Sequence, residues 1–351
     1  MISVLRLTAV YLLGLTLAFS AAQFLCAQEK NTDDRPAKPK KESPKKGQST
    51  DLEGDRFITR EPSPVRYSAS YCYGNADRET TPVLVLHDEK GSRKDFLPLT
   101  DLLANNGFAV LAPDLRGHGR SNKRYEKTEL PGNNPNGKVP QRLPARTTPK
   151  LVDYLAEDFQ SKDYQMMFTA DLPLMRSMLE RVHVAGEANL NRLVIVGAGR
   201  SCALAAYQAA QDWSGKDSGK FTKTLVLIAP AMNETQKTPA FAALVNNKLV
   251  KDDIAVFFAV PENSTLSGEF AEKMRTAFIE KSKDEKAAAR FPLITYPATK
   301  KMKDDKGGET TADIPLAEVL AGGKLAQSIF NFINQRNQTF GDKENRWTKL
   351  K

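Results

Sequence analysis

Five short stretches of the chain, residues 82–86, 108–112, 193–196, 225–228 and 254–259, hold almost no polar position, and residues 291–296 add a sixth of similar character, expected to be the last strand. Apolar runs of four to six residues are too short for buried helices. They fit strands covered on both faces. The segments between them repeat at helical spacing. Residues 96–103 do so and stop at Asn105-Asn106-Gly107. Residues 171–184 place Leu172, Met175, Leu179 and Val182 on one face, and further helices are predicted through 203–210 and within 314–332. Residues 65–73 alternate apolar and polar positions before a turn at Gly74, Asn75 and Asp77, which predicts one more strand. Strands alternating with helices predict an α/β fold with a mostly parallel central sheet and helices on both faces. No solenoid-type repeat is present.

Two segments break this rhythm. Residues 122–165 are rich in Pro, Gly, Asn and Lys and exceed an ordinary connection. They read as an insertion over one end of the sheet. Ligands bind at the carboxyl ends of strands in such sheets, so a lid and a plain surface loop both remain open. Residues 28–60 form the second. Arg35, Lys38, Lys40, Lys41, Lys45 and Lys46 face Glu42 alone across 35–46, interrupted by Pro36, Pro39 and Pro44. With almost nothing apolar to bury, this stretch reads as a disordered Lys/Pro-rich linker.

The chain start has the form of a secretory signal peptide over residues 1–27. Arg6 precedes an apolar run over 7–19, small residues follow at Ser20, Ala21 and Ala22, and Ala27 offers a second exit. The expected destination is export, whether periplasmic, secreted or envelope-associated. Extending the apolar run to Ala27 gives an uncleaved membrane anchor as the alternative. Cys26 offers a lipid-anchored one, with the bulky Leu25 before it. The organisation is thus 1–27 signal peptide, 28–60 linker, 61–340 globular domain with its insertion at 122–165, and 341–351 tail.

Composition narrows the chemistry. The 40% hydrophobic and 26% charged fractions are ordinary for a globular protein. The net charge of +9 lacks a basic stripe interleaved with aromatics, so no nucleic acid is expected. The partners left open are a small molecule and an anionic envelope polymer. Beyond residue 27 the cysteines are Cys72 and Cys202, expected as buried free thiols although an oxidising compartment permits a disulfide. The three histidines, His87, His118 and His183, form no zinc pattern, and Asp304-Asp305 sits among lysines. No glycine-rich phosphate loop occurs, so neither cofactor nor metal is expected.

Three motifs carry a resemblance. Residues 84–92 read Leu-Val-Leu-His-Asp-Glu-Lys-Gly-Ser; residues 112–121 read Ala-Pro-Asp-Leu-Arg-Gly-His-Gly-Arg-Ser; residues 193–204 read Leu-Val-Ile-Val-Gly-Ala-Gly-Arg-Ser-Cys-Ala-Leu. Together they resemble the α/β-hydrolase superfamily, especially its serine aminopeptidase-like and monoacylglycerol lipase-like branch, over roughly residues 65–335. The resemblance implies a nucleophile elbow at Gly197-Ala198-Gly199-Arg200-Ser201, with the nucleophile's place taken by Gly199. It implies an acid after strand 254–259, where Glu262 and Ser264 stand, and a histidine after 291–296, where none follows. Asp88 replaces the glycine of the oxyanion loop. The chain therefore reads as a catalytically inactive hydrolase-fold protein with a binding or envelope-associated role. The alternative is an active esterase-like or lipase-like hydrolase using Ser201, His87 and Glu262. The remaining side chains read structurally: His118 as a turn residue, His183 as an exposed or capping residue late in its helix.

Overall fold

A computed structural model describes residues 46–52, 58–59, 65–125, 150–214, 219–230, 240–247, 253–282, 287–303, 309–339, 346–348 and 350. The signal peptide, most of the linker, the middle of the insertion, Asp304-Asp305 and most of the tail lie outside them. All described residues fall in one unit, 43–351.

The strands are β1 (Ser49–Leu52), β2 (Val65–Arg66), β3 (Ala69–Cys72), β4 (Pro82–Leu86), β5 (Ala109–Pro113), β6 (Lys123–Tyr125), β7 (Leu151–Asp153), β8 (Leu193–Ala198), β9 (Thr222–Ile228), β10 (Ala255–Pro261), β11 (Leu293–Tyr296), β12 (Thr299–Lys303) and β13 (Glu309–Asp313). Eight of them form one sheet in the order β1-β3-β5-β4-β8-β9-β10-β11. β3 runs antiparallel to both β1 and β5, and the pairs from β5 to β11 are parallel. Alternate residues of each strand feed two cores. Leu84, Leu86, Ile195, Leu225 and Phe258 face one side, with α3 (Leu172–Ala185), α4 (Ser201–Asp212), α5 (Ala240–Asn246) and the helix Thr265–Lys281. Val83, Val85, Val194, Val226 and Phe257 face the other, with α1 (Leu97–Asn105) and the helix Lys324–Thr339. This is the expected two-faced sheet.

Four details depart from the sequence reading. Ser49–Leu52, within the stretch read as linker, is the first edge strand, paired to β3 from Ser49↔Cys72 to Leu52↔Ala69. Leu52 packs on the core, and Asp51 accepts hydrogen bonds from Arg93 and Arg120 at 3.3 Å each. An edge strand tolerates polar residues, so composition hides it. The single strand expected over 65–73 breaks at Tyr67 and Ser68. Their groups bond Arg116, Asp114 and Ser121 instead. The strand Leu293–Tyr296 is not the last, because the β12–β13 hairpin follows it. The closing helix is split into Leu316–Ala321 and Lys324–Thr339 at Gly322-Gly323, where Gly323 is left-handed at φ +84°.

The ends of the insertion are built into the domain. β6 and β7 pair with each other, and β6 also pairs with β2. The helix α2 (Ser161–Met166) then runs through a π-turn, Met167–Asp171, into α3. That turn carries Asp171 inward to Arg116. The two form a bidentate ion pair of 2.6 and 3.0 Å with both side chains 2% exposed. Arg116 also donates its backbone N–H to the Tyr67 hydroxyl at 3.1 Å.

Candidate functional site

β8 ends at Ala198 and α4 begins at Ser201, leaving two residues for a sharp reversal at the carboxyl end of the sheet. Gly199 sits at its apex with φ +53°, a left-handed conformation that side chains resist. Gly197 is needed for close approach. A Cβ there would lie 2.9–3.1 Å from Ser201 and Cys202 backbone. Strand, turn and helix thus keep the geometry of an elbow.

A neighbour's side chain fills the space where an elbow side chain would stand. A Cβ built on Gly199 would fall 2.1 Å from the Asp88 carboxylate. Asp88 Oδ1 accepts a hydrogen bond from Arg200 N–H at 3.0 Å and from Glu89 N–H at 2.7 Å. One donor follows the elbow residue, and the other comes from the loop after β4. They are the two kinds of donor that make an oxyanion hole. The carboxylate also lies at the start of α4, where the helix dipole favours negative charge. Asp88 is therefore turned into the site and holds both donors.

The three candidates Ser201, His87 and Glu262 are not assembled as nucleophile, base and acid. Ser201 is 3% exposed and donates its hydroxyl to the His87 carbonyl at 2.5 Å, not to the ring. His87 accepts from Leu115 N–H at Nε2, 2.8 Å, which leaves Nδ1–H to donate to the Asp88 carbonyl at 2.6 Å. Both ring nitrogens are engaged in backbone contacts. Glu262 is exposed at the end of β10, and its N–H donates to the Tyr296 carbonyl at 2.9 Å. Ser264 caps the helix Thr265–Lys281 by accepting from Ser267 N–H at 3.3 Å. Where the resemblance implies a histidine, Thr299 opens the β12–β13 hairpin and accepts a hydrogen bond from Asn263 at 2.8 Å. Cys202 is buried, with its thiol 3.2 Å from the Gly197 carbonyl; burial, with Asp88 adding, pushes that thiol well above its usual pKa. Cys72 and Cys202 are both free and buried.

The other histidines are packing elements. His118 presents its ring nitrogens to the carbonyls of Arg116 and Glu89 and packs edge-on against His87 and Phe159. His183 is fully buried rather than exposed, correcting the sequence reading. It stacks on Trp347 of the tail at 5.1 Å, faces the Thr348 carbonyl at 2.7 Å, and accepts from Leu190 N–H. Its partners in the tail lie 164 and 165 residues away, so helical periodicity alone could not place it.

Sequence reasoning missed a clamp over the turn. The Glu89 carboxylate takes the Arg200 guanidinium and the Tyr164 hydroxyl of α2 at once. Phe159 packs on Gly117, where a Cβ would meet its ring at 2.6 Å. The described part of the insertion is thereby fastened across the elbow, and no local signal links these residues. Among the described residues no cluster of three or more His, Cys, Asp or Glu side chains could hold a metal, and no helix is long and apolar enough to cross a membrane.

Burial gives this site a pH signature. It pulls His87 from 6.5 to about 4, with His118 also lowered mainly by burial. The folded state then binds fewer protons than the unfolded state between those values. The stabilising contribution is complete above the unfolded pKa of about 6.5 and is lost as pH falls toward about 4. Urea titrations at pH 7 and pH 4.5 should show a drop of roughly 2–3 kcal/mol. His87→Gln should remove most of the slope. An equal slope in that variant would assign the dependence elsewhere.

The strand order, the parallel pairing and the elbow after β8 define an α/β-hydrolase fold. No family model and no curated protein matches the sequence. Solved structures similar to the chain include the Pyrococcus furiosus esterase Pf2001, at 14% identity over 82% of this chain and 92% of that one, TM-score 0.49. A carboxylesterase of Nitrososphaera gargenis is similar at 11% identity over 80% and 99%, TM-score 0.48. Thermogutta terrifontis esterase 2, phosphoramylated by tabun, is similar at 12% over 83% and 96%, TM-score 0.46. Likeness at this level carries no activity to the chain.

Proposed function

We propose that this chain is an exported, non-catalytic member of the α/β-hydrolase superfamily, from the serine aminopeptidase-like and monoacylglycerol lipase-like branch, whose role is binding. The observation that carries the reading is Asp88. Its carboxylate takes the place of the missing elbow side chain and the two donors a substrate oxyanion would need. A fixed negative charge there opposes the charge that develops in acyl transfer. Gly199 offers no nucleophile, and the sequence holds no histidine after His183. Fold and chemistry separate readily, so a scaffold kept for its surface is consistent with this site. Export rests on the pattern of residues 1–27, and the partners that fit are a small molecule or an anionic envelope polymer.

The test is covalent labelling. The full chain exposed to a fluorophosphonate probe should show no labelled serine above a heat-denatured control. A serine labelled in the native protein, with the label lost on its replacement by alanine, would overturn the reading.

A further inference from the structure

A pocket lies against the last strand of the sheet, on the face that carries α1 and the helix Lys324–Thr339. It encloses about 300 Å³, the lower end of the range that small-molecule sites span. All its lining residues are among those described, and none belongs to the elbow or to the Asp88 contacts. Its base is apolar. Ile294 and Tyr296 come from β11, Ile314 follows the β12–β13 hairpin, and Val319 and Leu325 come from the two closing helices.

The gap is opened by the break between those helices. Gly322 lines the pocket and brings no side chain to fill it. The walls are held by their own backbone. Ile314 N–H donates to the Ala298 carbonyl at 2.8 Å, Gly322 N–H to the Glu318 carbonyl at 2.9 Å, and Gln327 N–H to the Gly323 carbonyl at 2.8 Å.

We infer that this pocket binds a small monocarboxylic acid with an apolar body. The polar groups at its border are unspent donors. The Lys324 ammonium and the Ser328 hydroxyl make no hydrogen bond or ion pair among the described residues. They stand four residues apart, on one face of their helix. The carboxylate at the border, Glu318, is already matched, since Lys300 donates to both of its oxygens at 2.8 and 2.9 Å. No free carboxylate is left there to draw an amine. The edge of β11 adds a further donor. Phe258 N–H donates to the Pro292 carbonyl and Glu262 N–H to the Tyr296 carbonyl, 2.9 Å each. Even-numbered residues of β11 thus turn their polar groups to β10, and Thr295 turns its N–H to the open side of the sheet's last strand. An ionised carboxyl group accepts from ammonium, hydroxyl and amide donors alike. The apolar base takes the rest of the molecule, and each methylene buried there is worth about fourfold in affinity.

Ligand-observed NMR titration of the full chain at pH 7 with hexanoate, acetate, hexylammonium and 1-hexanol tests this. Hexanoate is expected to bind saturably, with each of the others at least tenfold weaker. Lys324→Gln, a change at an exposed side chain, should weaken hexanoate about tenfold and leave 1-hexanol unchanged. Val319→Trp, at an unchanged thermal midpoint, should remove binding of both by filling the pocket. No saturation by hexanoate, or hexanoate binding unchanged in either variant, would remove the site. Hexylammonium or 1-hexanol binding as tightly as hexanoate would overturn the acid assignment. Occupancy of this pocket does not depend on whether the elbow is catalytic, so it can fail while the fluorophosphonate result stands, and the reverse.

Discussion

Replacing Asp171 with alanine is expected to cost about 3–5 kcal/mol of stability. Arg116 is 1% exposed, so the variant takes the carboxylate away from a buried guanidinium that cannot lose its proton. The two bonds of 2.6 and 3.0 Å disappear together, and the π-turn that delivers Asp171 loses its anchor. The damage is one of imbalance, because a buried pair repays its desolvation only while both members are present. A double variant, Arg116→Leu with Asp171→Leu, should therefore be less destabilised than Asp171→Ala alone. Urea midpoints read at unchanged m-value measure both. If the double variant is the less stable one, the pair contributes more than mutual compensation.

The second large effect is at the elbow, where Gly199→Ser is expected to lose about 2–4 kcal/mol and to gain no esterase activity. The new Cβ would fall 2.1 Å from the Asp88 carboxylate, at a backbone φ of +53° that side chains resist. Combining it with Asp88→Gly removes the collision. It should return about 1 kcal/mol or more as a coupling term in a double-mutant cycle. The double variant should still lack general-base chemistry, since His87 uses both ring nitrogens on backbone groups. Ester turnover by Gly199→Ser with Asp88 intact would contradict the occupied hole.

The parts of this fold that were legible in the sequence are those set by local rules. Uniformly apolar runs over 82–86 and 193–196 mark strands covered on both faces, and both are strands with every residue buried. The glycines of the elbow and the missing histidine are read directly from residue identity. What could not be read depends on distant partners. Ser49–Leu52 is polar enough to pass for spacer, and becomes a strand because β3 offers an unpaired edge. His183 is buried by a tail whose docking no helical pattern records. Asp88 is visible as a departure from the motif, but its direction depends on α4 bringing Arg200 N–H to it across 112 residues of sequence. The Glu89 clamp joins three segments and leaves no trace in any of them.

The Asp88 contact has a consequence for competition at the hole. Ester hydrolysis ends with a free acid, and a carboxylate at these donors is what a spent active site holds just before release. Asp88 is such a product covalently tied to its enzyme-like surroundings, so it cannot diffuse away. A short tether gives it an effective concentration of millimolar or more. Acids, esters and their transition-state mimics from solution would all have to outcompete an occupant that dilution never removes.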